Sequence, residues 1–105
     1  MKIREEFLWG YAERLEEDAA TALAYAMEEL ENSKNPEIHV YVADALMALD
    51  DYEGAVEEIN EALEKNIVNV NYAKSLKGEV LFYLERYVEI QFPIGRIIKW
   101  TGNKI

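Results

Sequence analysis

The stretch Ala43-Asp44-Ala45-Leu46-Met47-Ala48-Leu49-Asp50-Asp51-Tyr52 is matched by Gly78-Glu79-Val80-Leu81-Phe82-Tyr83-Leu84-Glu85-Arg86-Tyr87, 35 residues further on. A small residue opens both copies and an acid follows it. Leucines coincide at Leu46/Leu81 and Leu49/Leu84, and a tyrosine closes each. A second offset, of 33 residues, lays Gly10 on Ala43, Ala22 on Ala55 and Leu30 on Leu63. Self-similarity at a spacing of about 34 residues means one supersecondary unit used repeatedly.

The unit is helical. Ala55, Val56, Ile59, Ala62 and Leu63 fall on one face of a 3.6-residue turn, and Leu23, Ala26, Met27 and Leu30 repeat the spacing. The breaks lie at Asn32-Ser33-Lys34-Asn35-Pro36, Leu49-Asp50-Asp51-Tyr52 and Lys65-Asn66-Ile67-Val68-Asn69. Proline suits the first turn of a helix, and an aspartate caps one. Helices are expected over about 3–16, 18–32, 36–49, 52–65, 70–84 and 87–101. Helices this short, joined by turns this tight, fold back as antiparallel pairs. A single pair cannot bury its apolar stripe alone, whereas three stacked pairs can. One domain over 1–105 is expected, with hairpins over about 3–32, 36–66 and 70–101.

The period and residue order resemble the tetratricopeptide repeat (TPR) family. In that family a small residue on the first helix packs closely on the second, an aromatic closes the turn, and alanine opens the second helix. Ala43, Tyr52, Ala55, Ala62 and Leu63 fill those roles in the middle repeat. Gly78, Leu81 and Tyr87 do so for the first helix of the third, after which Ile90 replaces the alanine and Pro93 interrupts. Gly10 and Ala22 carry the first repeat, whose turn reads Glu16-Glu17-Asp18 with no tyrosine. The resemblance implies an all-α, right-handed solenoid that binds a peptide in a groove lined by first helices. By register that wall comprises Phe7, Tyr11, Arg14, Val40, Asp44, Met47, Ser75, Glu79, Phe82 and Tyr83. Family members that grip acidic chaperone tails use lysine, asparagine and arginine there. This chain has Tyr11, Asp44 and Glu79 at the asparagine register and Val40 at a lysine position, so a basic or mixed apolar partner is expected.

Charge supports the same direction. The 105 residues carry a formal net charge of −10, which disfavours nucleic-acid binding because phosphates would be repelled. The distribution is uneven: residues 1–85 hold 7 Lys/Arg against 20 Asp/Glu, and residues 86–105 hold 4 against 1. The last segment is therefore basic, and it is also apolar. Read as a helix, Ile90, Ile94, Ile97 and Ile98 share a face. Read as a strand, Val88, Ile90, Phe92 and Ile94 alternate with Glu89, Gln91, Pro93 and Gly95. Pro93 suits neither interior. Ile90, Phe92, Ile94, Ile97, Ile98 and Trp100 form a candidate homo-oligomer interface, the basic segment of one copy meeting the acidic body of another. The competing expectation is that the segment closes its own core. Arg96, Lys99 and Lys104 beside Ile97, Ile98 and Trp100 also compose a basic amphipathic anchor, but the stretch is short and the body anionic.

Enzyme chemistry finds no foothold. His39 is the only histidine, cysteine is absent, and no Ser/His/Asp or Cys/His set or glycine-rich phosphate loop can be assembled. Paired Glu-x-x-His motifs of a di-metal bundle need two histidines. Asp50-Asp51 lacks the acidic-glycine pattern of a calcium loop. Adjacent carboxylates such as Glu16-Glu17-Asp18 point different ways on a helix and read as solvated faces. No cofactor or metal is expected. No apolar run reaches the roughly 18 residues of a membrane span. Met1-Lys2-Ile3-Arg4-Glu5-Glu6, in which acidic residues arrive before any apolar stretch, is unlike a secretory leader, and with the lack of cysteine makes a cytoplasmic protein the expectation.

Overall fold

The computed structural model describes residues 2–91, and among them the only regular structure is helix. There are five: α1 (Glu5–Glu17), α2 (Ala19–Ser33), α3 (Ile38–Ala48), α4 (Tyr52–Glu64) and α5 (Val70–Gln91). Each packs against its neighbour in sequence, and α3 also touches α5.

The links are made by single side chains. Asp18 alone joins α1 to α2. Its N–H donates to the Arg14 carbonyl at 2.9 Å, closing α1, while its Oδ1 accepts from the Thr21 N–H at 2.8 Å, opening α2. That is why the first turn manages without a tyrosine. Lys34 ends α2 in the left-handed region (φ 58°). Asn35 then accepts from the Glu37 N–H at 3.0 Å and donates from its side chain to the Lys2 carbonyl at 3.2 Å. Pro36 and Glu37 form a turn, so α3 begins two residues later than proline at the first helical position would give. Asp50 takes φ 64°, and Asp51 caps α4 by accepting from the Gly54 N–H at 3.0 Å. That aspartate cap is the one expected.

The expected turn before Tyr87 is absent. α5 continues through it to Gln91, 22 residues in all. The reason is visible in the repeat itself. Asp50-Asp51, which adopts the left-handed conformation and supplies the cap, is replaced in the later copy by Glu85-Arg86. Both are good helix formers and neither caps. The expected helix over 87–101 is thus, for residues 87–91, a continuation of α5; residues 92–101 lie outside the described residues. Gly78, matched to the buried Ala43, has nothing within 4 Å of where a Cβ would stand.

The core is two clusters with α3 between them. Phe7, Tyr11, Ala22 and Ala26 pack with Ile38, Val42 and Ala45 of α3. Ala55, Ile59, Ala62, Ile67, Ala73, Leu76 and Val80 pack with Val40 and Ala43 of α3. Leu46 leans on both. The alanines assigned to close packing, Ala22, Ala43, Ala55 and Ala62, are all fully buried. Arg4 clasps the first cluster's outer edge: Nε lies 2.9 Å and Nη2 2.6 Å from the two carboxylate oxygens of the buried Glu29. This fork holds the Glu29 carboxyl below the ordinary range, against the opposing effect of its burial.

Candidate functional site

Asp44 stands near the middle of α3, half-buried. Its Oδ2 accepts from the Tyr11 hydroxyl at 3.1 Å, and the same hydroxyl lies 3.1 Å from the Tyr41 carbonyl oxygen. Tyr11 is itself locked in the core, its ring edge-on to Tyr41 with centroids 5.3 Å apart. A buried phenol from α1 therefore fixes the carboxylate of α3. Burial, and then the Asp44 charge, push the Tyr11 phenol far above its ordinary range. Tyr72, in the first turn of α5, is raised by burial first and then by Asp44 and Glu79. The phenols of Tyr11 and Tyr72 thus stay protonated, and that of Tyr11 donates to Asp44.

Beside Asp44 lies an open concavity of about 670 Å³. Leu15, Ala19, Met47 and Ala48 give it an apolar lining, and Asp50, Tyr52 and Tyr83 complete it. The Tyr52 and Tyr83 rings stack at 5.8 Å with planes 16° apart, joining the end of α3–α4 to α5. Tyr52 also donates to Asp50 Oδ1 at 2.9 Å. That bond is the main reason its phenol is raised, with burial second. Phe82 stands edge-on to Tyr83 at 5.7 Å and is 55% exposed. Among the described residues no lysine or arginine lines the concavity, and none of the ion pairs involves Asp44, Asp50 or Glu79.

Of the ten residues assigned to the wall, Asp44, Met47 and Tyr83 meet around this concavity. Phe82 adjoins it, and Glu79 lies within electrostatic range of Tyr72. Ser75 is exposed on α5 between Tyr72 and Glu79 and is not among the residues around this concavity. Phe7 and Val40 are corrections: both are core residues, 0% and 3% exposed, and cannot touch a partner. Phe7 stacks on Tyr25 at 5.4 Å and meets Tyr41 edge-on at 5.5 Å. Tyr11 is likewise buried, and supports the site through Asp44. Arg14 is committed internally, its guanidinium 4.0 Å over the Tyr25 ring and bonded to the Gly10 carbonyl at 3.0 Å. Of the segment assigned to self-association, Ile90 belongs to α5, while Phe92, Ile94, Ile97, Ile98 and Trp100 lie outside the described residues.

Tyr72, Asp50 and Leu15 escaped the sequence reading. Tyr72 was legible, since it lies seven residues before Glu79 and so on the same helix face. Leu15 and Asp50 sit where helices end, where register arguments lose their hold.

Two other features stand apart. His39 Nδ1 is 2.8 Å from Glu58 Oε1, in a second concavity of about 510 Å³ that Lys34, Lys65 and Met27 help line. Trp9, 73% exposed, stands among Glu5, Glu6 and Glu13. No group of three or more histidine or acidic side chains is placed to hold a metal, and no helix is long and apolar enough to cross a membrane, among the described residues. No known protein family, no curated protein and no solved structure matches this chain.

Proposed function

We propose that this chain is a protein-interaction module that binds an extended peptide or a protein surface along α1, α3 and α5. Its helices stack as short antiparallel hairpins in a TPR-like right-handed solenoid, with α1, α3 and α5 as the first helices. One observation carries the reading: Tyr72, Phe82 and Tyr83 are 53%, 55% and 41% exposed beside carboxylates that form no ion pair among the described residues. Large aromatic side chains left in water around a concavity mark an interaction surface. The Tyr11–Asp44 bond supports the stack, because it links positions 33 residues apart, one repeat length. The chemistry favours a basic or mixed apolar partner.

Selection of short ligands from a random peptide display against the full chain tests this. Ligands rich in lysine or arginine with apolar residues are expected. Replacing Phe82 and Tyr83 together by alanine weakens them by about tenfold or more, while the melting temperature moves by only a few degrees. Selected ligands dominated by aspartate and glutamate, or affinity indifferent to the double substitution, contradict the reading.

The charge asymmetry favours a second reading, a self-associating unit. Residues 92–105 contain Arg96, Lys99 and Lys104 and no acid, which complements an acidic face on another copy. Sedimentation of a monomer at high concentration, unchanged when residues 92–105 are removed, eliminates it.

A further inference from the structure

We propose that the concavity beside Asp44 seats an arginine side chain of the partner, its guanidinium on the Asp44 carboxylate and its stem along Met47 and Tyr83. This rests on the binding reading above and names the chemistry the site selects.

The lining is that of an amphipathic cation's complement. Arginine has an apolar stem and a planar, weakly hydrated head that stacks on aromatic rings and pairs with carboxylates. The cavity offers an apolar lining, the paired Tyr52 and Tyr83 rings, and the carboxylates of Asp44 and Asp50. Asp44 is held by the Tyr11 hydroxyl at one oxygen, Oδ2. A carboxylate accepts several hydrogen bonds, so acceptor capacity remains for a guanidinium. Such preorganisation lowers the ordering cost of binding. The nearby cations do not compete. Arg14 is spent on Tyr25 and the Gly10 carbonyl, and Arg86 lies 5.6 Å over the Phe82 ring. Those two arginines also show the same chemistry at work inside the molecule, guanidinium over aromatic ring. A phosphate or a carboxylate ligand would meet Asp44 and Asp50 with no cation among the described lining residues to offset them.

The probe is a short peptide alternating leucine and arginine, compared by titration calorimetry with the same peptide carrying citrulline. Citrulline keeps the shape and the planar head but has no charge. The arginine peptide should bind about tenfold or more tightly. Asp44→Asn should bring it down to the citrulline level. The variant stays folded, because asparagine can still accept from Tyr11; its melting curve checks this. Glu57→Gln, which removes the same charge from an exposed position of α4, should leave the ratio as it was, separating the seat from general attraction to an acidic protein.

Equal binding of the two peptides overturns the arginine seat, as does an arginine preference that survives Asp44→Asn. Failure of both peptides to bind at millimolar concentration overturns it too. In each case the broader binding reading is judged separately, by the displayed peptides and the Phe82/Tyr83 substitution.

Discussion

Tyr11 bridges the core and the candidate site. Its ring fills the first cluster, and its hydroxyl holds Asp44. Tyr11→Phe should keep the packing and cost about 1 kcal/mol through the lost hydrogen bond. The pH dependence has a definite sign. The folded phenol is raised above its unfolded value, so the stability it contributes is whole below about pH 10 and is lost as the pH rises above that. Denaturant melts at neutral and strongly alkaline pH should show wild type losing more stability than Tyr11→Phe; equal losses contradict the assignment. At this scale the sequence was half legible. Asp44 and Tyr83 follow from repeat register, because register fixes which helix face a residue occupies. Phe7 and Val40 do not follow, because register cannot say how far a side chain lies beneath its neighbours. Both sit where a second helix closes over them.

At the scale of elements, the turns decide what the apolar pattern leaves open. Asp18 and Asp51 each satisfy a backbone N–H that a helix start leaves unpaired, while Asn35 holds the turn before α3 by accepting from the Glu37 N–H. The breaks at Asn35-Pro36 and Asp50-Asp51 help place the first four helices to within about two positions, whereas Asp18, which reads in the sequence as part of a solvated acidic run, is the cap that opens α2. α5 was misjudged because a repeat alignment transfers a turn along with its tyrosine, although the turn chemistry at Asp50-Asp51 has been lost at Glu85-Arg86. A continuous α5 predicts slow amide hydrogen exchange at Arg86 and Tyr87, comparable with that of Leu81. Free exchange at those two amides, with protection resuming further on, would restore the turn. The continuous helix matters for the proposed binding, since it carries Tyr72, Glu79, Phe82, Tyr83 and Arg86 on one face.

Across the whole molecule, α3 supplies residues to both core clusters and Asp44 and Met47 to the site. Two clusters sharing one helix should melt together. Ile59→Ala removes a fully buried side chain from the second cluster and should cost about 2–5 kcal/mol. Its thermal transition should remain single when followed at Tyr25 or Ala22, in the first cluster. Independent melting of the two clusters would mean that α3 does not couple them. The apolar periodicity announced a helical core of this kind. It did not announce the division into two clusters, which depends on alternate faces of α3 being taken by different neighbours.

The proposed binding face lies chiefly on α3 and α5. The most direct test is to map amide chemical shifts of the full chain while titrating in the best displayed peptide. Perturbations are expected to concentrate at Asp44, Met47, Tyr72, Phe82 and Tyr83. Perturbations gathered instead around Met27, His39 and Glu58, with those five unmoved, would contradict it.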